Sequence, residues 1–285
     1  MRAMEFRTIV DIPPSPWKIG PCERMLFVGS CFADNIGRRF AEEQFRVIVN
    51  PFGVMYNPAS ILHTVERLLA DNAMPFQSGE PGTAIFTLGT NHVYILKETG
   101  EIVDNCHKRP QSLFLEQKLS INECADYLNR AVSLITGHFP KVHFLFTVSP
   151  IRYRKYGYHG SRLSKATLLL AIDTLLQSDS SRLMGYFPSY EILDDELRDY
   201  RFYQPDMLHP SSQAVDYIYD RMAEAYFSDA TFAFLKEWRP IRAALGHRPL
   251  HPDSEEYRLF KLKMEERLRR LSEKYPISLP ISLPK

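Results

Sequence analysis

Apolar runs that stop abruptly at glycine or a small polar residue recur along this chain and constrain its fold more than any other feature. Residues 24–28 run into Gly29-Ser30-Cys31, and residues 45–49 into Asn50-Pro51-Phe52-Gly53. Residues 83–88 give way to Gly89-Thr90-Asn91-His92, and residues 142–148 to Ser149-Pro150. Short continuous apolar runs of this kind read as buried strands. Between them, apolar residues repeat at helical spacing, as in Phe32, Ile36 and Phe40, or Ile61, Leu62, Val65, Leu68 and Leu69. The pattern predicts helices over residues 32–43, 58–69, 164–176 and 213–227, and one opened by Ser120 with Glu123 completing a capping box. A short last strand falls at 184–187, and residues 93–103 form a hairpin-like passage turning at Thr99-Gly100. Strands alternating with helices predict right-handed crossovers and a mostly parallel sheet.

Composition removes several function classes. With 35 Lys and Arg against 34 Asp and Glu, no excess of positive charge points to a nucleic acid or an anionic membrane as an obligate partner. No apolar stretch approaches the roughly 18 residues needed to span a bilayer, and the opening residues lack the apolar core of a secretory signal. Cys22, Cys31, Cys106 and Cys124 are scattered without a Cys-x-x-Cys pair, which argues against a disulfide framework and for a reducing, cytoplasmic setting. Nine histidines without a His-x-His pair suggest neither a metal site nor a metal cofactor. Residues 254–274 are strongly charged, with Phe260, Met264, Leu268 and Leu271 at helical spacing. They predict an amphipathic helix that packs on the main domain or on a partner. A Pro-rich tail follows. The expected division is a domain over residues 1–230 and a helical extension over 231–285.

The strand ends supply the candidate chemistry. A parallel sheet brings its carboxyl ends to one edge, where ligands collect. Ser30 and Cys31, a hydroxyl and a thiol at a strand-to-helix turn, suggest acyl transfer through a covalent intermediate. Late in the chain, Asp206 and His209 lie three positions apart on a proline-bounded loop. The aspartate can there accept the proton of one imidazole nitrogen and leave the other free as a base. Arg152, Lys165, His159 and Arg201 are candidates to hold an anionic or sugar-bearing substrate. Cys106 and His107 are adjacent, and in an extended segment they point to opposite faces, so His107 reads as a structural hydrogen-bond donor.

These blocks resemble the SGNH (GDSL-type) hydrolases in their order: nucleophile turn, later glycine, Gly-x-Asn, and final Asp-x-x-His. More specifically, Gly29-Ser30-Cys31-Phe32-Ala33 is the signature of the GSCFA family. The segments Asn50-Pro51-Phe52-Gly53-Val54-Met55-Tyr56-Asn57-Pro58, Leu88-Gly89-Thr90, Asn105-Cys106-His107-Lys108, Thr147-Val148-Ser149-Pro150 and Ser164-Lys165-Ala166 look like the rest of its pattern. The resemblance implies a three-layer α/β/α sandwich of the SGNH type with a C-terminal helical extension, and esterase-like chemistry without a cofactor. In the superfamily register Cys31 takes the nucleophile position and Ser30 replaces an aspartate; a shift of one residue makes Ser30 the nucleophile. A helix N-terminus and a nearby imidazole favour a thiolate, which inclines the choice to Cys31. The resemblance also implies an oxyanion hole made by the turn N–H, the Gly53 N–H and the Asn91 amide, with Asn57 as the substitute. The expected activity is hydrolysis or transfer of a small O-acyl group, an acetylated carbohydrate being the analogue from the superfamily. The competing expectation is a silent scaffold that recruits a partner through its C-terminal helix.

Overall fold

The computed structural model describes residues 6–106, 108–179, 183–247 and 254–277. His107 and the end of the Pro-rich tail lie outside them. The chain runs through β1 (Arg24–Gly29), α1 (Cys31–Glu42), β2 (Arg46–Val49), α2 (Pro58–Ala70) and β3 (Gly82–Leu88). It continues through β4 (His92–Leu96), β5 (Ile102–Val103), β6 (Phe114–Lys118), α3 (Ile121–His138), β7 (Val142–Val148), α4 (Gly157–Ser178) and β8 (Met184–Tyr186). A short α5 (Ser189–Glu191) passes into a π-helical stretch over Ile192–Leu197, and α6 (Ser212–Tyr226), α7 (Asp229–Leu245) and α8 (Glu255–Lys274) follow.

Five strands pair in parallel in the order β2-β1-β3-β7-β8, while β5, β4 and β6 make a separate antiparallel sheet between β3 and α3. The period of two along each central strand sorts its side chains into the two outer layers. Met25 and Phe27 of β1, with Ile85 and Leu145, face a cluster built from α1, α6, α7 and α8. Leu26 and Val28, with Ala84, Phe86, Phe144 and Phe146, face α2, α3 and α4. The result is the expected α/β/α sandwich around a parallel sheet. Fully buried rings such as Phe27, Phe40, Phe86 and Phe144 each contribute about 2–3 kcal/mol of apolar burial.

Helix starts follow their caps. Ser30 accepts from the Phe32 N–H at α1, Asn57 accepts from Ser60 N–H ahead of Pro58 at α2, and Ser120 and Glu123 close the capping box of α3. Ser211 and Ser254 cap α6 and α8 in the same way.

Three elements differ from the sequence reading. Helix α4 begins at Gly157 rather than at residue 164. The hairpin-like passage gains a third strand, β6, along β4. Helix α7, which carries Pro240 in its interior, has no counterpart among the helices the periodicity predicts. The amphipathic helix α8 turns Met264, Leu268 and Leu271 inward, and Leu268 and Leu271 join the cluster that holds Phe27 and Trp238. Trp238 also donates its indole N–H to the Glu42 carbonyl at 2.8 Å, tying α7 to the end of α1. No helix among the described residues is long and apolar enough to cross a membrane.

Candidate active site

Gly29 sets the geometry of the turn. Its φ is +154°, and a Cβ at this position would stand 2.2 Å from the Thr87 carbonyl oxygen of β3, so no larger residue fits. Three main-chain contacts tie the turn down. The Gly29 N–H donates to Asn50 Oδ1 at 2.8 Å, the Ser30 N–H to Thr87 O at 3.1 Å, and the Met55 N–H to Gly29 O at 2.9 Å. Asn50 in turn donates through Nδ2 to Asp34 Oδ1 at 2.6 Å. The turn is thus fixed from β3, from the loop after β2 and from α1 itself.

The two nucleophile candidates have different surroundings. Ser30 is 1% exposed, donates its hydroxyl to Ser149 Oγ at 2.8 Å, and accepts from the Phe32 N–H at 3.2 Å. Cys31 is the first residue of α1 and is half-buried; its Sγ lies 3.8 Å from the Tyr56 hydroxyl. As the first helical residue, Cys31 has a main-chain N–H with no acceptor inside the helix. Burial, with Cys31 next in order, pushes the Tyr56 hydroxyl well above its ordinary pKa, so Tyr56 stays protonated beside the sulfur.

Asp206 and His209 are brought together. The His209 Nδ1–H donates to Asp206 Oδ2 at 2.6 Å, a direction fixed because an ionised carboxylate only accepts. Asp206 Oδ1 accepts from the main-chain N–H groups of Leu208 and His209 at 2.8 and 3.0 Å. These donors, the His209 N–H first, hold the Asp206 carboxyl at about 2. The loop is closed by Gln204 N–H donating to His209 O at 2.7 Å, and it is moored to the end of β7 by Arg152 N–H donating to Leu208 O at 3.0 Å. His209 Nε2 remains as the basic nitrogen.

The donors expected for an oxyanion need correction. The Gly53 N–H closes its own turn on Asn50 O at 2.9 Å, and Gly53 is glycine because φ is +95°. Asn91 is buried with its Nδ2 donating to Leu119 O at 2.7 Å and its main-chain N–H to Ser164 Oγ at 3.0 Å. Both are spent on the fold. Asn57 spends only its Oδ1, which accepts from Ser60 N–H at 2.9 Å; that contact fixes which end of the amide is the NH2. Asn57 lines a cavity of about 190 Å³ with Tyr56, His92, Cys106, Tyr153 and Tyr156.

Lys165, which also lines the cavity beside the Asp206–His209 loop, spends donors on the fold. Its Nζ is buried and donates to Gly89 O at 2.9 Å and Ser149 O at 2.7 Å, clamping the ends of β3 and β7. Desolvation lowers its pKa to about 7. Arg152 lines a second cavity, of about 320 Å³, on the side of the Asp206–His209 loop. His159 and Arg201 are exposed, and Arg201 pairs with Asp199 at 3.5 Å.

Residues the sequence reading passed over complete the site. Tyr56 sits inside the Asn50–Pro58 motif, and Ser149 ends an apolar run, so both carried a visible signal. His92 carried less. It stacks on Tyr156 with ring centres 3.7 Å apart, and burial, then Lys118 and Lys155, lowers it to about 4, so it is neutral. Cys106 enters the Tyr56 cavity as a second thiol, held protonated chiefly by burial.

Comparison with solved structures finds matches at low identity and with TM-scores below 0.5. A carbohydrate esterase family 2 enzyme with its carbohydrate binding domain, from Corynascus thermopiles (Myceliophthora fergusii), matches with 15% identity and a TM-score of 0.46, over 78% of this chain and 69% of that one. A carbohydrate esterase family 3 protein from Talaromyces cellulolyticus matches with 8% identity and a TM-score of 0.42, over 75% of this chain and 99% of that one. A comparison with curated proteins finds no match. The GSCFA family matches over residues 24–80 and 77–222, and its C-terminal domain over residues 238–278. The chain therefore belongs to the GSCFA family, with both of that family's characteristic regions present.

Proposed function

We propose that the protein cleaves or transfers a small O-acyl ester through a covalent acyl-enzyme on Cys31. The observation that carries this reading is the Asp206–His209 contact of 2.6 Å, on a loop moored at the same sheet edge that ends in Cys31. Asp206 selects the tautomer and His209 Nε2 accepts the proton of the Cys31 thiol. The thiolate attacks the ester carbonyl carbon. Negative charge then develops on the carbonyl oxygen, where the Cys31 N–H and the Asn57 NH2 group are the available donors. His209 returns the proton to the departing alkoxide, which leaves as the alcohol, and the acyl group remains as a thioester. Water or an acceptor hydroxyl, deprotonated by His209, attacks the thioester carbonyl and frees the thiol.

Ser30 is the alternative nucleophile, and its burial and its hydroxyl's engagement with Ser149 favour Cys31. The cavity beside Tyr56 supports a small acyl group, and acetylated carbohydrates are the first natural esters to assay. The test is mass spectrometry of the protein quenched during turnover of 4-nitrophenyl acetate. An acetyl adduct on Cys31 that is absent in Cys31→Ala is expected. An adduct on Ser30, with turnover intact in Cys31→Ala, would reverse the assignment, and no turnover by any variant would remove the enzyme reading.

A further inference from the structure

The cavity beside the Asp206–His209 loop is walled by Pro150, Ile151, Tyr158, Tyr190, Tyr203 and Met207. Arg152, Arg162 and Lys165 also line it, with one carboxylate, Asp194. The Arg152 guanidinium carbon lies 4.4 Å from the ring centre of Tyr203, 5.6 Å from Tyr158 and 5.7 Å from Tyr200. Among the described residues, no carboxylate stands within ion-pair distance of Arg152, whereas two neighbouring arginines are paired and Lys165 is taken up by the Gly89 and Ser149 carbonyls. Arg162 holds Asp194 by two contacts, at 2.7 and 3.1 Å, and Arg201 lies 3.5 Å from Asp199.

A half-buried guanidinium without a counter-charge is costly, and three aromatic rings offset only part of that cost. Rings satisfy the face of the cation. Its planar fork of N–H donors has the geometry of a carboxylate or a phosphate, and packing on the rings holds that fork in place before anything binds. The main chain of Arg152 is hydrogen-bonded to Leu208, next to His209, so the cation and the basic nitrogen share one rigid frame.

We infer that Arg152 and its surrounding tyrosines form an anion subsite, so that the ester processed here carries a carboxylate or a phosphate besides its acyl group; the ester part rests on the reading above. The subsite gives the anion's partner on the protein and leaves the Tyr56 cavity to the acyl group.

Three acetyl esters test it: 3-acetoxybenzoate, 3-acetoxyphenyl phosphate and phenyl acetate, each rate referred to its uncatalysed hydrolysis. The wild-type protein is expected to prefer at least one anionic ester in kcat/KM, chiefly through KM, and the favoured one tells carboxylate from phosphate. Arg152→Met is expected to cut that preference by about tenfold or more, the scale of one lost charge-assisted hydrogen bond. Arg152→Lys, which keeps the charge and loses the fork, is expected to restore part of it. A wild-type protein with no preference, or a preference unchanged in Arg152→Met, overturns the subsite. Calorimetric binding of benzoate and phenyl phosphate to Cys31→Ala separates the two readings. Arg152-dependent binding without wild-type turnover keeps the subsite and removes the ester reading; turnover without anion binding does the reverse.

Discussion

Ser30 gives its hydroxyl hydrogen to Ser149 at 2.8 Å, while the adjacent Cys31 sulfur lies 3.8 Å from the Tyr56 hydroxyl. Neighbouring positions thus hold an oxygen spent on joining β1 to β7 and a sulfur left half-buried beside Tyr56. Two variants should therefore part company. Cys31→Ala is expected to lose ester turnover by about a thousandfold or more. Ser30→Ala should remain active but unfold more easily, by about 1–2 kcal/mol for the lost helix cap and buried hydrogen bond. Steady-state kinetics and urea titration measure the two effects separately.

In the proposed mechanism Asp206 acts through His209. Asp206→Asn removes the anionic acceptor and is expected to lower kcat by about a hundredfold or more, with the dyad's pH profile altered rather than simply scaled down. In the wild-type protein the Asp206 carboxyl is held at about 2. A depressed acid stabilises the fold fully above its ordinary range and loses that contribution only as pH falls toward about 2. Activity lost in mildly acidic buffer is therefore not expected to come from protonation of Asp206, and the Asp206–His209 contact should survive there. Histidine NMR signals followed with pH check this.

Lys165 makes stability depend on pH in the same direction, but in a higher window. Its folded pKa of about 7 lies below the ordinary lysine value of 10.5, so the unfolded chain binds more protons between the two. Stability contributed by this group therefore rises with pH above about 7, and the full penalty of burying the charge applies below it. Urea midpoints taken from neutral pH to about pH 9, below ordinary tyrosine ionisation, should climb more steeply in the wild-type protein than in Lys165→Met. Equal slopes would mean that the buried amine does not titrate in this window.

Gly29→Ala is expected to be severely destabilising. Its Cβ would meet the Thr87 carbonyl at 2.2 Å, a main-chain atom of a central strand that has nowhere to move. A loss of about 3 kcal/mol or more, or failure to fold, is the expected outcome. Gly53→Ala, where nothing lies within 4 Å and only the positive φ opposes the change, should cost about 1 kcal/mol. Thermal unfolding of the two variants gives the contrast.

What could be read from residues alone follows a simple division. Strands β1, β3 and β7 were legible because each is a continuous apolar run with polar punctuation at its carboxyl end. The Asp206–His209 pair was legible because its chemistry is local, spanning three residues. The oxyanion donors were not, because the fate of an N–H depends on distant partners: Asn91 is claimed by Leu119, and Gly89 and Thr90 both donate to the Tyr56 carbonyl. No spacing rule anticipates those contacts. Helix α7 was obscured by Pro240, which sequence reasoning treats as a breaker although the helix continues through it. Strand β6 was obscured by its own exposure, since only Phe114 of its five residues is buried.

The C-terminal helices close the face of the sheet on which α1 lies, and this has a consequence for how the chain is made. During synthesis, Phe27, Phe40 and Tyr219 emerge well before Phe234, Trp238, Leu268 and Leu271, which complete the same cluster. Until the last of these clears the ribosome, one side of an otherwise assembled domain presents a broad greasy surface to the cell. A chain that ends between α7 and α8 leaves Phe234 and Trp238 without the cover of Leu268 and Leu271, and is expected to aggregate more readily than the full one.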